Sequence, residues 1–188
     1  LLPFTPTNAQ RRAVSEALHD MSGTANPYPM NRLVQGDVGS GKTAVAAALC
    51  HSVIKSGKQA ALMAPTEILA KQHFASLSNF LAPAGIRLGL LTGSVTAAKK
   101  RALLEQLETG EIDLLIGTHA LISDNVRFHD LALVITDEQH RFGVNQRAAL
   151  AQKGGAVRPH MLVMSATPIP RTLALLLYGI RFHGLRMP

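Results

Sequence analysis

Apolar residues along the chain fall into short, nearly unbroken runs, separated by longer stretches in which apolar and polar positions alternate at helical spacing. The runs are Leu33-Val34, Ala60 to Ala64, Leu88 to Leu91, Ile112 to Ile116, Leu131 to Ile135 and Met161 to Met164. A strand covered on both faces has no polar side to present, so such runs predict parallel strands sandwiched between helices. Between them, Thr43 to Ser56 predicts a helix that stops at Gly57, because glycine takes the left-handed turn after a helix without steric cost. Glu67 to Leu81 puts Ile68, Leu69, Phe74, Leu77 and Leu81 at helical spacing behind a capping Thr66, and Thr96 is placed to cap a helix running to Gly110. Ser22 to Pro29, Ser123 to Phe128 and Gly154 to Pro159 read as loops. The alternation predicts an α/β fold of three layers, with a mostly parallel central sheet.

The length of 188 residues suits one domain, and a 47% hydrophobic content is enough for a sizeable core. No apolar run approaches the length that spans a bilayer, and Leu1-Leu2-Pro3-Phe4 lacks the pattern of a signal peptide. That start is expected of a cut inside a longer protein. The single cysteine, Cys50, excludes an internal disulfide and fits a reducing, cytoplasmic setting; among Ala and Leu it reads as a small core residue. The 19 Lys and Arg against 12 Asp and Glu leave +7, an excess that favours polyanionic partners.

One stretch carries specific chemistry. Gly36-Asp37-Val38-Gly39-Ser40-Gly41-Lys42-Thr43 follows a predicted strand and opens a predicted helix, the full pattern and context of a phosphate loop. Glycines let consecutive N–H groups converge on phosphate oxygens, and the helix start behind them adds partial positive charge. Lys42 is the expected ligand of the β- and γ-phosphates, and the Thr43 hydroxyl the expected ligand of Mg²⁺. The plain alternative, a glycine-rich turn with an incidental lysine, explains neither the complete match nor its position.

Such a loop needs a carboxylate at the end of a neighbouring strand. The apolar run Leu131 to Ile135 leads into Thr136-Asp137-Glu138-Gln139-His140, at the strand end where open α/β sheets bind ligands. Asp137 is read as the Mg²⁺ carboxylate and Glu138 as the base for the attacking water. No Asn precedes a Lys, which removes the guanine signature of GTPases, and no arginine-rich lid of a small kinase is present. Thr7-Asn8-Ala9-Gln10 is a capping box. The histidines show no metal-ligand spacing and read as surface or satisfied positions.

The Asp137-Glu138-x-His140 sequence resembles the superfamily 2 helicases, and the resemblance extends over nearly the whole chain. Phe4-Thr5-Pro6-Thr7 with Gln10 looks like the motif that reads adenine, a second reading for Gln10 beside the capping box. Ala64-Pro65-Thr66-Glu67-Ile68-Leu69-Ala70 with Gln72, Thr92-Gly93-Ser94 and Gly117-Thr118-His119-Ala120 resemble the segments that face nucleic acid. Ser165-Ala166-Thr167 resembles the segment that couples the ATP site to the second motor domain. Gly117-Thr118-His119-Ala120-Leu121, Asp137 to Val144 and Ala166 to Ala174 narrow the likeness to the RecG family of bacterial branched-DNA helicases. The transcription-repair coupling factor is next closest, but usually has a second Glu where Gln139 stands.

That resemblance implies a first RecA-like motor domain over residues 1–188, using ATP and Mg²⁺. Its ATP site would comprise Gln10, Gly36, Asp37, Val38, Gly39, Ser40, Gly41, Lys42 and Thr43, with metal at Thr43 and Asp137 and catalysis by Lys42 and Glu138. Coupling would fall to Gln139, His140, Ser165 and Thr167, and DNA contact to Pro65, Thr66, Thr92, Gly93, Gly117, Thr118 and His119. The implied partners are duplex and branched DNA, with a second RecA-like domain and a wedge domain of the same parent protein, and no membrane. Arg141, Arg147 and Arg171 read as surface charges, with Arg171 at a helix start the strongest of them for a functional role. The tail Gly179 to Pro188 departs from the family in carrying Arg181, His183 and Arg186 where acidic residues are expected. The alternatives in function are a nucleotide-gated interaction module and an RNA helicase.

Overall fold

The computed structural model describes residues 5–23, 28–138, 144–155, 157–167 and 181–184. In chain order the elements are α1 (Asn8–Met21), β1 (Asn31–Gln35), α2 (Lys42–Lys55), β2 (Gln59–Met63), α3 (Glu67–Leu81), β3 (Leu88–Leu91), α4 (Ala97–Glu108), β4 (Leu114–Gly117), β5 (Leu131–Glu138), α5 (Val144–Gln152), β6 (His160–Ser165) and β7 (Arg181–Gly184). Short 3₁₀ turns cover Ala82–Ala84 and His119–Ile122.

The strands form one sheet in the order β3-β4-β2-β5-β6-β1-β7, and every neighbouring pair among them is parallel. Side chains alternate across the sheet and so build two cores. On one face Val34, Leu62, Leu114, Ile116, Leu133, Ile135, Leu162 and Met164 pack with Ala13 and Ala17 of α1, Leu49 and Val53 of α2, and Ala70, Leu77 and Leu81 of α3. On the other, Ala61, Met63, Leu91, Leu115 and Val134 pack with Leu107 of α4, Leu121 of the second 3₁₀ turn and Leu150 of α5. This is the three-layer architecture that the apolar runs predict. Cys50 lies in the first core, where burial pushes its thiol up to about 12. Among the described residues, no helix is long and apolar enough to cross a membrane.

Four local readings change. Strand β4 begins at Leu114, two residues beyond the predicted start. Thr96 stands at the start of α4 but its side chain makes no capping hydrogen bond. Strand β7 was not foreseen: the divergent tail pairs its backbone with the outer edge of β1, Arg32 facing Arg181 and Gln35 facing Gly184. The carboxylate strand is also not the neighbour of the phosphate-loop strand, because β6 lies between β1 and β5.

Two buried polar side chains set the frame. Arg32 of β1, 6% exposed, meets Asp20 at 2.6 Å and Glu16 at 3.2 Å, tying α1 to the sheet. Gln59, at the foot of β2, donates to the carbonyls of Leu107 at 2.9 Å and Ile112 at 2.7 Å and accepts from Asp130 N–H at 2.9 Å. One amide thus joins the end of α4 and the approaches to β4 and β5. Elsewhere His160 is satisfied as expected, its Nδ1 accepting from Met30 N–H at 2.9 Å, and burial holds its pKa below the ordinary value.

Replacing Gln59 by Leu leaves the Ile112 carbonyl and the Asp130 N–H without this partner, while the Leu107 carbonyl keeps the Gly110 N–H; each unpaired buried group costs about 1–3 kcal/mol. Gln59→Leu is therefore expected to destabilise the domain by about 2–4 kcal/mol in denaturant unfolding, after partial relaxation. A loss below about 0.5 kcal/mol, the level of a neutral surface change, would contradict this account.

Candidate nucleotide site and DNA-facing loops

Because all the strands run the same way, their C-terminal ends open at one rim, and the strand order sorts the candidate residues along it. The phosphate loop leaves β1, Ser165 to Thr167 follow β6, and Asp137-Glu138 end β5. Pro65-Thr66 follow β2, His119 follows β4 and Thr92-Gly93 follow β3. The nucleotide candidates therefore occupy one half of the rim and the DNA candidates the other, with β5 and β2 adjacent at the boundary.

The loop is held in its curve by glycines with positive φ, Gly39 at 85° and Gly41 at 81°. Gly41 is required twice: its φ is one that side chains resist, and a Cβ there would collide with the Gln10 amide. Gln10 is buried and spans two roles. Its Oε1 accepts from Thr7 N–H at 2.9 Å and its Nε2 donates to Ser40 O at 3.2 Å. The capping box is thus formed, and the same side chain braces the phosphate loop from α1.

Lys42 curls back into the loop, donating to the carbonyls of Gly36 at 2.6 Å and Asp37 at 2.9 Å. Burial draws its pKa down, and the carboxylates of Asp137 and Asp37 offset part of that. Ser40 Oγ is buried in the same loop without a protein partner, a hydroxyl that an oxyanion could satisfy. Thr43, in the first turn of α2, and Asp137 supply oxygen donors only, the ligand set that suits Mg²⁺. Val38, 85% exposed, stands at the apex of the loop.

The segment Ser165 to Thr167 begins in the sheet, at the end of β6. Ser165 pairs in register with Gln35 on one side and Glu138 on the other. Its carbonyl accepts from Gly36 N–H at 3.1 Å, and its hydroxyl lies 3.0 Å from Thr167 Oγ1. Gln35 Nε2 donates to Thr167 O at 2.9 Å. The strand of the phosphate loop, the strand end carrying Glu138 and the Ser165-Thr167 turn are thereby one hydrogen-bonded unit. Gln139, His140, Arg141 and Arg171 lie outside the described residues, as do the side chains of Glu138 and Arg147.

Among the DNA candidates, Thr66, Gly93 and His119 are exposed and Pro65 is half-buried, whereas Thr92, Gly117 and Thr118 are buried. Gly117 answers a packing need, since a Cβ would collide with the Leu91 carbonyl. Thr66 caps α3, accepting from Leu69 N–H at 3.2 Å. Beside it, Glu67 accepts from Ser94 N–H at 3.1 Å and so pins the turn after β3. Sequence reasoning passed over this glutamate, and it passed over His73. His73 Nε2 lies 2.6 Å from Asp137 Oδ2.

Since Gln10 acts through the loop, Gln10→Ala is expected to weaken ATP and GTP alike, by roughly tenfold for one lost buried hydrogen bond. Equilibrium titration with both nucleotides checks this; a loss confined to ATP would make Gln10 a base reader instead.

A DEAD/DEAH box helicase family model matches residues 7–176. The chain is 56% identical over 178 residues to the ATP-dependent DNA helicase RecG of Aquifex aeolicus, covering 95% of this chain and 22% of that protein. It is 57% identical over 178 residues to RecG of Bacillus subtilis, covering 95% of this chain and 25% of that one. The chain thus spans about a quarter of the length of these relatives. A solved structure of RecG bound to a three-way DNA junction superposes with a TM-score of 0.84 at 45% identity, over 100% of this chain and 25% of that one. The UvsW helicase of bacteriophage T4, at 12% identity and a TM-score of 0.70 over 96% of this chain and 60% of that one, shares the fold. The chain therefore belongs to the DEAD/DEAH box helicase family and matches RecG helicases along nearly its whole length.

Proposed function

We propose that this chain is the ATP-binding half of a DNA motor that, in the whole protein, hydrolyses Mg-ATP to move on duplex DNA and remodel branched DNA in recombination and repair. The observation that carries the reading is the division of one sheet rim, with the phosphate loop and acids on one half and the exposed Thr66, Gly93 and His119 on the other. The RecG structure on a three-way junction supports branched DNA as the substrate. The net charge of +7 suits a phosphate backbone, and the buried thiol suits a cytoplasmic setting.

Thr43 and Asp137 would hold Mg²⁺, which when bound screens the charge on the β- and γ-phosphates. Lys42 exchanges the carbonyls of Gly36 and Asp37 for phosphate oxygens, and Ser40 Oγ is available to the same anion. In the reaction the water oxygen bonds to the γ-phosphorus while the bond to the β–γ bridging oxygen breaks, leaving ADP and phosphate. Glu138 accepts the proton of that water. A second RecA-like domain of the parent protein would close over the loop, on the side of the exposed Val38, and supply the remaining positive charge. A wedge domain of the parent protein completes the junction-binding surface.

Two measurements test the reading. Lys42 grips ground-state phosphates whereas Glu138 acts on water in the transition state, so Lys42→Ala is expected to lose nucleotide binding. Glu138→Gln should keep binding and lose turnover by at least about a hundredfold, the scale of a removed general base. Loss of binding by the Glu138 variant with a normal Lys42 variant would refute the assignment. DNA affinity should be independent of sequence and fall steeply between two salt concentrations, as phosphate contact demands. Salt-insensitive or strongly sequence-selective binding would count against a motor.

A further inference from the structure

We infer that His73 is a positioning residue for the Asp137 carboxylate, fastening the metal-binding acid to α3. The inference deepens the proposed ATP site and rests on Asp137 being its metal carboxylate.

The placement follows from two periodicities. Asp137 continues the Leu133-Ile135 face of β5, the face covered by α1, α2 and α3. On α3, position 73 lies three residues after Ala70 and four before Leu77, both fully buried against that face. His73 therefore occupies the core-facing stripe of the helix, at a level where the strand presents an acid. The two side chains meet at 2.6 Å with only 12% and 16% exposure, so water competes little for either. A carboxylate can only accept, so Nε2 carries the proton of this contact, as in carboxylate–histidine pairs that orient metal ligands. Oδ2 is held by the histidine, which fixes the carboxylate's rotation and leaves its remaining lone pairs for a cation.

The same helix carries Glu67 in its first turn, bonded to Ser94 N–H, six residues before His73. A rigid α-helix rises about 1.5 Å per residue, so the pinned turn after β3 and the metal carboxylate are joined through a single strut about 9 Å long. His73 is the point at which that strut reaches the nucleotide half of the rim.

The test uses the full-length protein and a non-hydrolysable ATP analogue, titrated at a series of Mg²⁺ concentrations and in EDTA. His73→Ala is expected to raise the Mg²⁺ concentration for half-maximal nucleotide tightening by about tenfold to a hundredfold, the range for losing a group that orients a metal ligand. Affinity in EDTA should be unchanged. His73→Gln, whose amide nitrogen is the same number of bonds from Cα as Nε2, should restore the midpoint to within about threefold, whereas His73→Asn, which reaches only as far as Nδ1, should not. If the Ala variant does not fold, the contrast between Gln and Asn decides. Asp137→Ala should abolish the Mg²⁺ effect; if the effect survives there, the metal assignment itself falls. If Asp137→Ala abolishes it while His73→Ala leaves the midpoint unmoved, His73 has no positioning role. Equal weakening of all three His73 variants with and without Mg²⁺ would likewise overturn it, leaving only a packing role.

Discussion

Parallel pairing is the constraint on which this domain rests. Each strand must return to the same starting side before the next begins, so every crossover passes over a face of the sheet and every strand ends at one rim. The crossovers bury the sheet on both sides, and polar loops can then collect only at the strand ends. The candidate site is consequently assembled from six separate segments spread along the chain, held in line by backbone pairing and by a few side-chain contacts such as Gln35 to Thr167 and Glu67 to Ser94. The sharing of Ser165 between Gln35 and Glu138 is the clearest instance, since one residue sets the spacing of the phosphate loop from the strand end that carries the acids.

Within this frame the contacts of the phosphate loop hold its curve in place. Lys42 donates to its own loop, the Gln10 amide braces Ser40, and Gly41 admits that amide because it has no Cβ. A nucleotide has to compete only with the internal lysine contacts, and the backbone curve is in place beforehand. Preorganisation of that kind puts binding energy into phosphate contacts rather than into ordering the chain.

Much of this was legible in the chain because the governing rules are local. Six strands show as mostly apolar runs, since burial on both faces leaves polar side chains such as Arg32 and Gln59 dependent on dedicated partners, and α3 shows from its stripe and its capping Thr66. The glycines of the phosphate loop announce a backbone requirement that no other residue meets. What escaped notice depends on distance. Strand β7 contains Arg181-Phe182-His183-Gly184, and an edge strand held by backbone hydrogen bonds has no need of an apolar run. The order of β1, β6 and β5 is a property of the assembled sheet, so the acid strand was taken for an immediate neighbour. His73 and Asp137 are 64 positions apart, and only the packing of α3 on β5 brings them together. A histidine within an apolar helical stripe was the available signal. Burial of Thr92 and Thr118 was likewise hidden, because a polar residue beside a glycine reads as loop whether or not a neighbouring strand end covers it.

The late strand β7 has a consequence for handling the protein. It lies outside β1, which without it would present a bare row of N–H and C=O groups along Asn31-Arg32-Leu33-Val34-Gln35, the strand that feeds the phosphate loop. Unpaired edges of that kind recruit strands from other molecules. A polypeptide trimmed before Arg181 would keep every nucleotide-binding residue named above and yet offer that edge to its neighbours. With β7 in place, the exposed edge is four residues long instead of the full length of β1, and the strand that feeds the phosphate loop is paired on both sides.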